Sequence, residues 1–193
     1  MALVEVDITS YDSFRANTIG NGYDIDGYYG YQCWDYCALM WGNIGRYGHD
    51  GTPYNYPYLQ TGSGGYAYEC WTNSRYQNAG TQFELIELLS LVKKGDVVVL
   101  DRGRYAGDVA GHIAFADEDY TGGNTLRLVG QNQENPSASV GHVVTADVMD
   151  VTKFLGAFRY KLWEQEPPTP VHIPKKSKFP FYLYANRWRL NGR

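Results

Sequence analysis

Two segments of this 193-residue chain carry the side chains suited to chemistry. The first is Asp24-Ile-Asp26-Gly-Tyr28-Tyr-Gly30-Tyr-Gln32-Cys33-Trp-Asp35, in which alternating oxygen donors lead straight into a cysteine. The second is Gly111-His112-Ile-Ala-Phe, an apolar stretch opened by a histidine. A thiol hydrolase needs a nucleophile and a base that stand far apart in sequence and are made neighbours by the fold. The donor run adds a second chemistry, because a hard cation takes several oxygens from a loop that glycine allows to curl. Asp24, Asp26 and Asp35 offer carboxylates for it, and Tyr28 and Gly30 offer backbone carbonyls.

Only a thiolate attacks well, and a free thiol is mostly protonated at neutral pH. A helix beginning at Cys33 would favour the thiolate through its dipole and its free N–H groups. His112 would then pair with the thiolate and later protonate the leaving amine. Of the other cysteines, Cys37 lies one helical turn deeper and is expected in the core, and Cys70, in a loop-like region before Trp71, is expected to have a packing role. Of the other histidines, His49 lies in a Gly-rich turn and His172 in the Pro-rich stretch after the domain, which leaves His142, on a later strand, as the alternative base.

These groups need a frame. Apolar spacing predicts a helix over 32–41, followed by a long Gly-, Tyr- and Asn-rich irregular region over 43–80. Thr81 and Glu84 form a capping-box pattern that predicts a second helix to about 92. Strands are expected at 97–100, 112–116, 126–133, 140–146 and 154–162. Helices followed by an antiparallel meander define an α+β domain.

The order Gln32-Cys33-x-Asp35, Gly95-Asp96-Val-Val-Val, Gly111-His112-Ile-Ala and Val129-Gly-Gln131-Asn132 resembles the CHAP family, the cysteine, histidine-dependent amidohydrolases/peptidases. Phe154-Leu-Gly156-Ala-Phe-Arg159 is similar to that family's last strand. The Asp-x-Asp-Gly-Tyr-Tyr run before the cysteine resembles the calcium-binding phage endolysins of the family. The resemblance implies a papain-like fold with N-terminal helices packed on an antiparallel sheet. It implies cleavage of amide bonds in bacterial peptidoglycan, as an endopeptidase or an N-acetylmuramoyl-L-alanine amidase. It also implies a structural Ca2+ held by Asp24, Asp26, Tyr28, Gly30 and Asp35, steadying the start of the Cys33 helix.

A third residue must orient the imidazole. The family has an acidic residue where this chain has Gly130, ahead of Gln131 and Asn132. Strand alternation puts 130, 132 and 134 on one face, which selects Asn132 and a Cys-His-Asn site. A register shifted by one selects Gln131. For the oxyanion, the N–H of Cys33 is one donor, with Gln32 or a neighbouring Tyr as a second.

The composition fits a catalytic domain with a tail. Hydrophobic residues make up 44%, enough for a core, and the aromatic share of 16% includes 18 Tyr, suited either to a core or to a groove for sugars and peptides. The net charge is −4, yet the stretch 167–193 has no acidic residue and carries Lys175, Lys176, Lys178, Arg187, Arg189 and Arg193. We expect a CHAP domain over 1–163, a Pro-rich linker over 164–174 and a basic aromatic tail over 175–193. That tail would attract anionic wall polymers or membrane, or else fold its aromatics onto the domain. An acidic domain argues against nucleic acid. Lacking an apparent signal peptide or membrane span, the chain is expected in the host cytoplasm as a monomer that reaches the wall after release. The alternatives are a phage tail-associated or morphogenetic wall-binding protein that keeps the fold, and a cytosolic thiol peptidase.

Overall fold

The computed structural model describes residues 4–46, 61–73, 75, 82–133 and 141–163. His49, His172, the expected linker and the basic tail lie outside these residues. Among the described residues, α1 spans Tyr11–Thr18, α2 Cys33–Arg46 and α3 Glu69–Thr72. The strands are β1 (Phe83–Ile86), β2 (Val97–Leu100), β3 (His112–Ala116), β4 (Thr125–Gly130), β5 (Thr145–Asp150) and β6 (Phe154–Tyr160).

They form one antiparallel sheet in the order β1-β6-β2-β3-β4-β5. The expected meander holds from β2 to β5, while β6 returns to pair with β2 and carries β1 on its outer edge. β2 and β3 are buried along their whole length. Val97, Val99, Ile113 and Phe115 share a core with α2, whereas Val98, Leu100, Ala114 and Ala116 join a second core with Leu126, Leu128 and Ala157. A strand covered on both faces reads as an unbroken apolar run, as the Val97–Leu100 sequence does.

α2 is the central helix, with Tyr36 through Trp41 all buried. It runs past the expected end at 41 to Arg46. Tyr36 stacks on Phe14 at 5.1 Å and meets Phe115 edge-on at 5.2 Å, so α1, α2 and β3 share one aromatic cluster. α1 itself was not anticipated. Ser10 caps it through the Ser13 N–H at 3.0 Å, and Arg15 ties it to Asp117 at the end of β3 at 2.6 Å. Several tyrosines are thus core residues (Tyr11, Tyr36, Tyr160), while Tyr28, Tyr29, Tyr66 and Tyr105 are exposed.

Two expected elements are corrected. The helix over 81–92 is replaced by β1 and a short 3-10 turn at Leu89–Leu91. Phe83 stacks on Trp41 at 4.1 Å and its strand pairs with β6, a tertiary gain that outweighs a local capping signal. The strand expected over 140–146 begins at Thr145 instead and runs to Asp150, where it pairs with β4 along its full length.

Candidate active site

Cys33 is the first residue of α2 and is half-buried. Asp35, two residues into the helix, reaches back to accept the Gln32 N–H at 3.0 Å, which is the carboxylate half of a capping box. The same carboxylate accepts the Ile25 N–H at 2.8 Å and folds the donor loop onto the helix start. The sulfur of Cys33 meets the N–H of Ile113, the residue that follows His112 on β3. Burial pushes the thiol up, while the N–H groups of Ile113 and Trp34 and the Arg104 charge pull it down. Burial thus opposes the helix-end effect anticipated for this thiolate. Cys37 and Cys70 are buried, free, and pushed well above the ordinary thiol value by desolvation.

His112 opens β3 and is only 2% exposed. Desolvation, reinforced by the Arg104 charge, pushes its ring down to about 3, against opposing contributions from Gln133 and Asp108. Burial thus biases both groups toward their neutral forms. The loop before His112 is held by a buried ion pair, Arg104 Nε to Asp108 Oδ2 at 2.9 Å, with side chains 7% and 1% exposed. Asp108 accepts the Gly111 N–H at 2.9 Å, and Arg104 donates to the Gly111 carbonyl at 3.2 Å. Gly111 sits at φ +68°, and a Cβ there would strike the carbonyl of Leu100. The alternative base, His142, lies in the segment before β5, where its carbonyl accepts the Asn132 N–H at 3.3 Å.

Strand alternation does not survive past β4. The strand ends at Gly130 and the chain turns through Asn132 at φ 56°, in the left-handed region. Gln131 turns inward, accepting the Tyr23 N–H at 2.7 Å and donating to the carbonyls of Tyr23 and Gln32 at 2.9 Å each. Asn132 donates to Gln32 Oε1 at 3.1 Å. Gln133 also bears on the imidazole, raising its proton affinity against the burial. The Nε2 of Gln133 donates to Leu128 O, Thr145 O and Asp147 Oδ2 at 2.9–3.2 Å, which fixes the amide and leaves Oε1 as the acceptor toward His112. His112 Nε2, Asn132 Oδ1 and Gln133 Oε1 are all buried without a hydrogen-bond partner among the described residues, so both amides offer an unfilled acceptor beside the site. Gln32 donates to Tyr29 O at 2.6 Å and retains one amide hydrogen for an oxyanion.

In the donor loop, carboxylate oxygens of Asp24, Asp26 and Asp35 lie within 4.8 Å of one another. Two oxygens bound to one Ca2+ at about 2.3–2.6 Å stand at most about 5 Å apart, so the three fit a single ion. Gly27, Tyr29 and Gly30 all take positive φ and curl the loop, with Tyr29 82% exposed at its tip. Burial holds the Asp35 carboxyl up at about 6 against the N–H groups that favour its charge.

An α+β sheet and helix arranged in the papain-like way, with a cysteine at the helix start and a histidine opening a central strand, define the class. The CHAP domain family is matched over residues 20–132, more than half of the chain, and the chain belongs to that family. It is 28% identical over 132 residues to a "D-alanyl-L-alanine endopeptidase" of Streptococcus phage B30, a match spanning 65% of this chain but 25% of that protein. Among solved structures it is similar to the wild-type endolysin LysIME-EF1, with a TM-score of 0.56 and 27% identity over 81% of this chain and 65% of the endolysin.

Arg104, Asp108 and Gln133 were not singled out in the sequence. The first two carried a signal, an Arg and an Asp four apart with the Asp three residues before Gly111. Gln133 carried none, because its placement depends on the turn at Asn132.

Proposed function

We propose that this protein is a phage-type peptidoglycan hydrolase whose nucleophile is Cys33 and whose base is His112. The observation that carries the reading is the start of α2 laid against β3, with the Cys33 sulfur at the N–H beside His112. His112 takes the thiol proton as sulfur attacks the amide carbon, and the N–H of Cys33 and the spare amide hydrogen of Gln32 receive the oxyanion. The imidazolium returns the proton to the departing amine, leaving an acyl-enzyme thioester. Water then attacks that thioester with His112 as base, and the thiol is regenerated. Gln133 holds the ring.

Similarity to a phage D-alanyl-L-alanine endopeptidase supports a peptide bond, rather than the sugar-lactyl amide, as the target. The three-carboxylate loop supports a bound Ca2+ that braces the helix start without touching the reacting atoms. Clearing of purified cell walls by wild type and by Cys33→Ala, with mass spectrometry of released fragments, tests the reading. Wild type is expected to expose new amino termini within the peptides while Cys33→Ala releases nothing. Equal clearing by the two would overturn it.

A further inference from the structure

Beside the site stands a cation without an acid. Arg15, Arg104, Arg127 and Arg159 are each paired with a carboxylate. Arg102 has no such partner among the described residues. Its guanidinium lies over the ring of Tyr68, 4.8 Å from the centroid, and donates to the Tyr68 hydroxyl at 3.4 Å. Tyr68 stacks in turn on Tyr66 at 5.9 Å and 16°, and the Tyr66 ring is exposed. A guanidinium laid on an aromatic face is held in place while its outer N–H groups remain in solvent. That is a preformed fork for a planar oxyanion.

The shelf is anchored to the catalytic strand. Tyr68 donates its N–H to Ala110 O at 3.1 Å. A Cβ at Gly111 would stand 3.0 Å from Tyr68 Cβ and 3.3 Å from the backbone nitrogen of Arg102, so both residues border the glycine that precedes His112. Gly111 stands two residues before Ile113, whose N–H meets the Cys33 sulfur.

We propose that Arg102, seated on Tyr68 and flanked by Tyr66, is a subsite for a free carboxylate of the peptide substrate. This inference rests on the reading of the chain as a hydrolase of wall peptides. The tyrosine rings offer small apolar side chains a flat surface, and the guanidinium supplies charge and direction.

The test uses the full chain carrying Cys33→Ala, so that binding is read without cleavage. Calorimetry compares a soluble wall stem peptide with its carboxyls free against the same peptide with every carboxyl converted to a carboxamide. A charge-assisted pair predicts about tenfold tighter binding of the free acid. Adding Arg102→Ala should erase that preference, and Arg102→Lys should restore part of it, since charge returns without the fork. Adding Tyr66→Ala should weaken both peptides alike. Equal affinity for the two peptides, a preference that survives Arg102→Ala, or no binding of either overturns the subsite. Wall clearing by the wild-type chain separates the two claims. Clearing without the preference removes the subsite and keeps the hydrolase, and the preference without clearing does the reverse.

Discussion

Arg104 and Asp108 close their ion pair around the backbone of Gly111, one taking its carbonyl and the other its N–H. The pair thereby sets where β3 begins and where His112 stands. Removing one partner of a buried pair leaves the other charge uncompensated, at a cost of about 3–5 kcal/mol. Asp108→Ala should lower stability by that order in urea unfolding and slow wall clearing even at temperatures where the variant is folded. A loss below about 0.5 kcal/mol, the range of an ordinary surface change, would show that the loop holds itself without the pair.

The three consecutive amides after β4 should separate by phenotype. Gln131→Ala removes three hydrogen bonds to the backbone of Tyr23 and Gln32, each worth about 1 kcal/mol, and should act mainly on the melting temperature. Gln133→Ala should lower kcat well below the melting transition, though by less than the roughly 100-fold or more expected from loss of the base itself. Asn132→Ala, which removes the hydrogen bond to Gln32, should cost less than Gln133→Ala. A greater kcat loss from Asn132→Ala than from Gln133→Ala would return the orienting role to Asn132.

What could be read from the sequence follows from how local each feature is. Residue pattern alone gave the start of α2 near Cys33, the strand at Val97–Leu100 and the strand opened by His112, because a helical period and unbroken apolar runs mark buried elements. The Asp24–Asp35 loop was legible for the same reason, its ligand candidates being close in sequence. The false helix at 81–92 arose where a good capping signal met a sheet edge that only the folded chain supplies. The amide order after Gly130 was hidden because strand alternation holds only within a strand, and a left-handed residue resets it. The Arg104–Asp108 clamp is a loop feature, and its contact with Gly111 cannot be counted from spacing.

Chelation should destabilise the protein and slow wall clearing, with calcium restoring both in preference to magnesium, which demands tighter octahedral geometry and keeps its waters. At a hundredfold excess over Kd, a bound ion adds about 2.7 kcal/mol, a readily seen shift in melting temperature. Asp24→Ala and Asp26→Ala should match the chelated wild type and respond little to added calcium. Asp35→Ala should be worse than chelation, since it also removes the acceptor for the N–H groups of Gln32 and Ile25 at the helix start. Melting curves with and without chelator check the set; an unchanged wild-type curve would argue against a structural ion.

The buried imidazole should leave a signature in the pH dependence of stability. Folded His112 binds its proton only near 3, whereas an unfolded histidine does so near 6.5. Between these values the unfolded chain holds the extra proton, so stability is complete above about 6.5 and falls as the pH is lowered, by up to about 1.4 kcal/mol per pH unit. The groups that bear on the ring are Arg104, which opposes protonation, and Gln133 and Asp108, which favour it. Asp35 runs the other way. Its carboxyl is raised to about 6, so the folded state gains stability as it protonates below that value. A bare stability curve would mix the two, and the comparison is therefore between wild type and His112→Gln, which share Asp35. The wild type should lose stability relative to the variant as pH falls from 6.5 to 4.5 in urea unfolding. Parallel curves would mean that His112 is as easily protonated in the folded chain as in water.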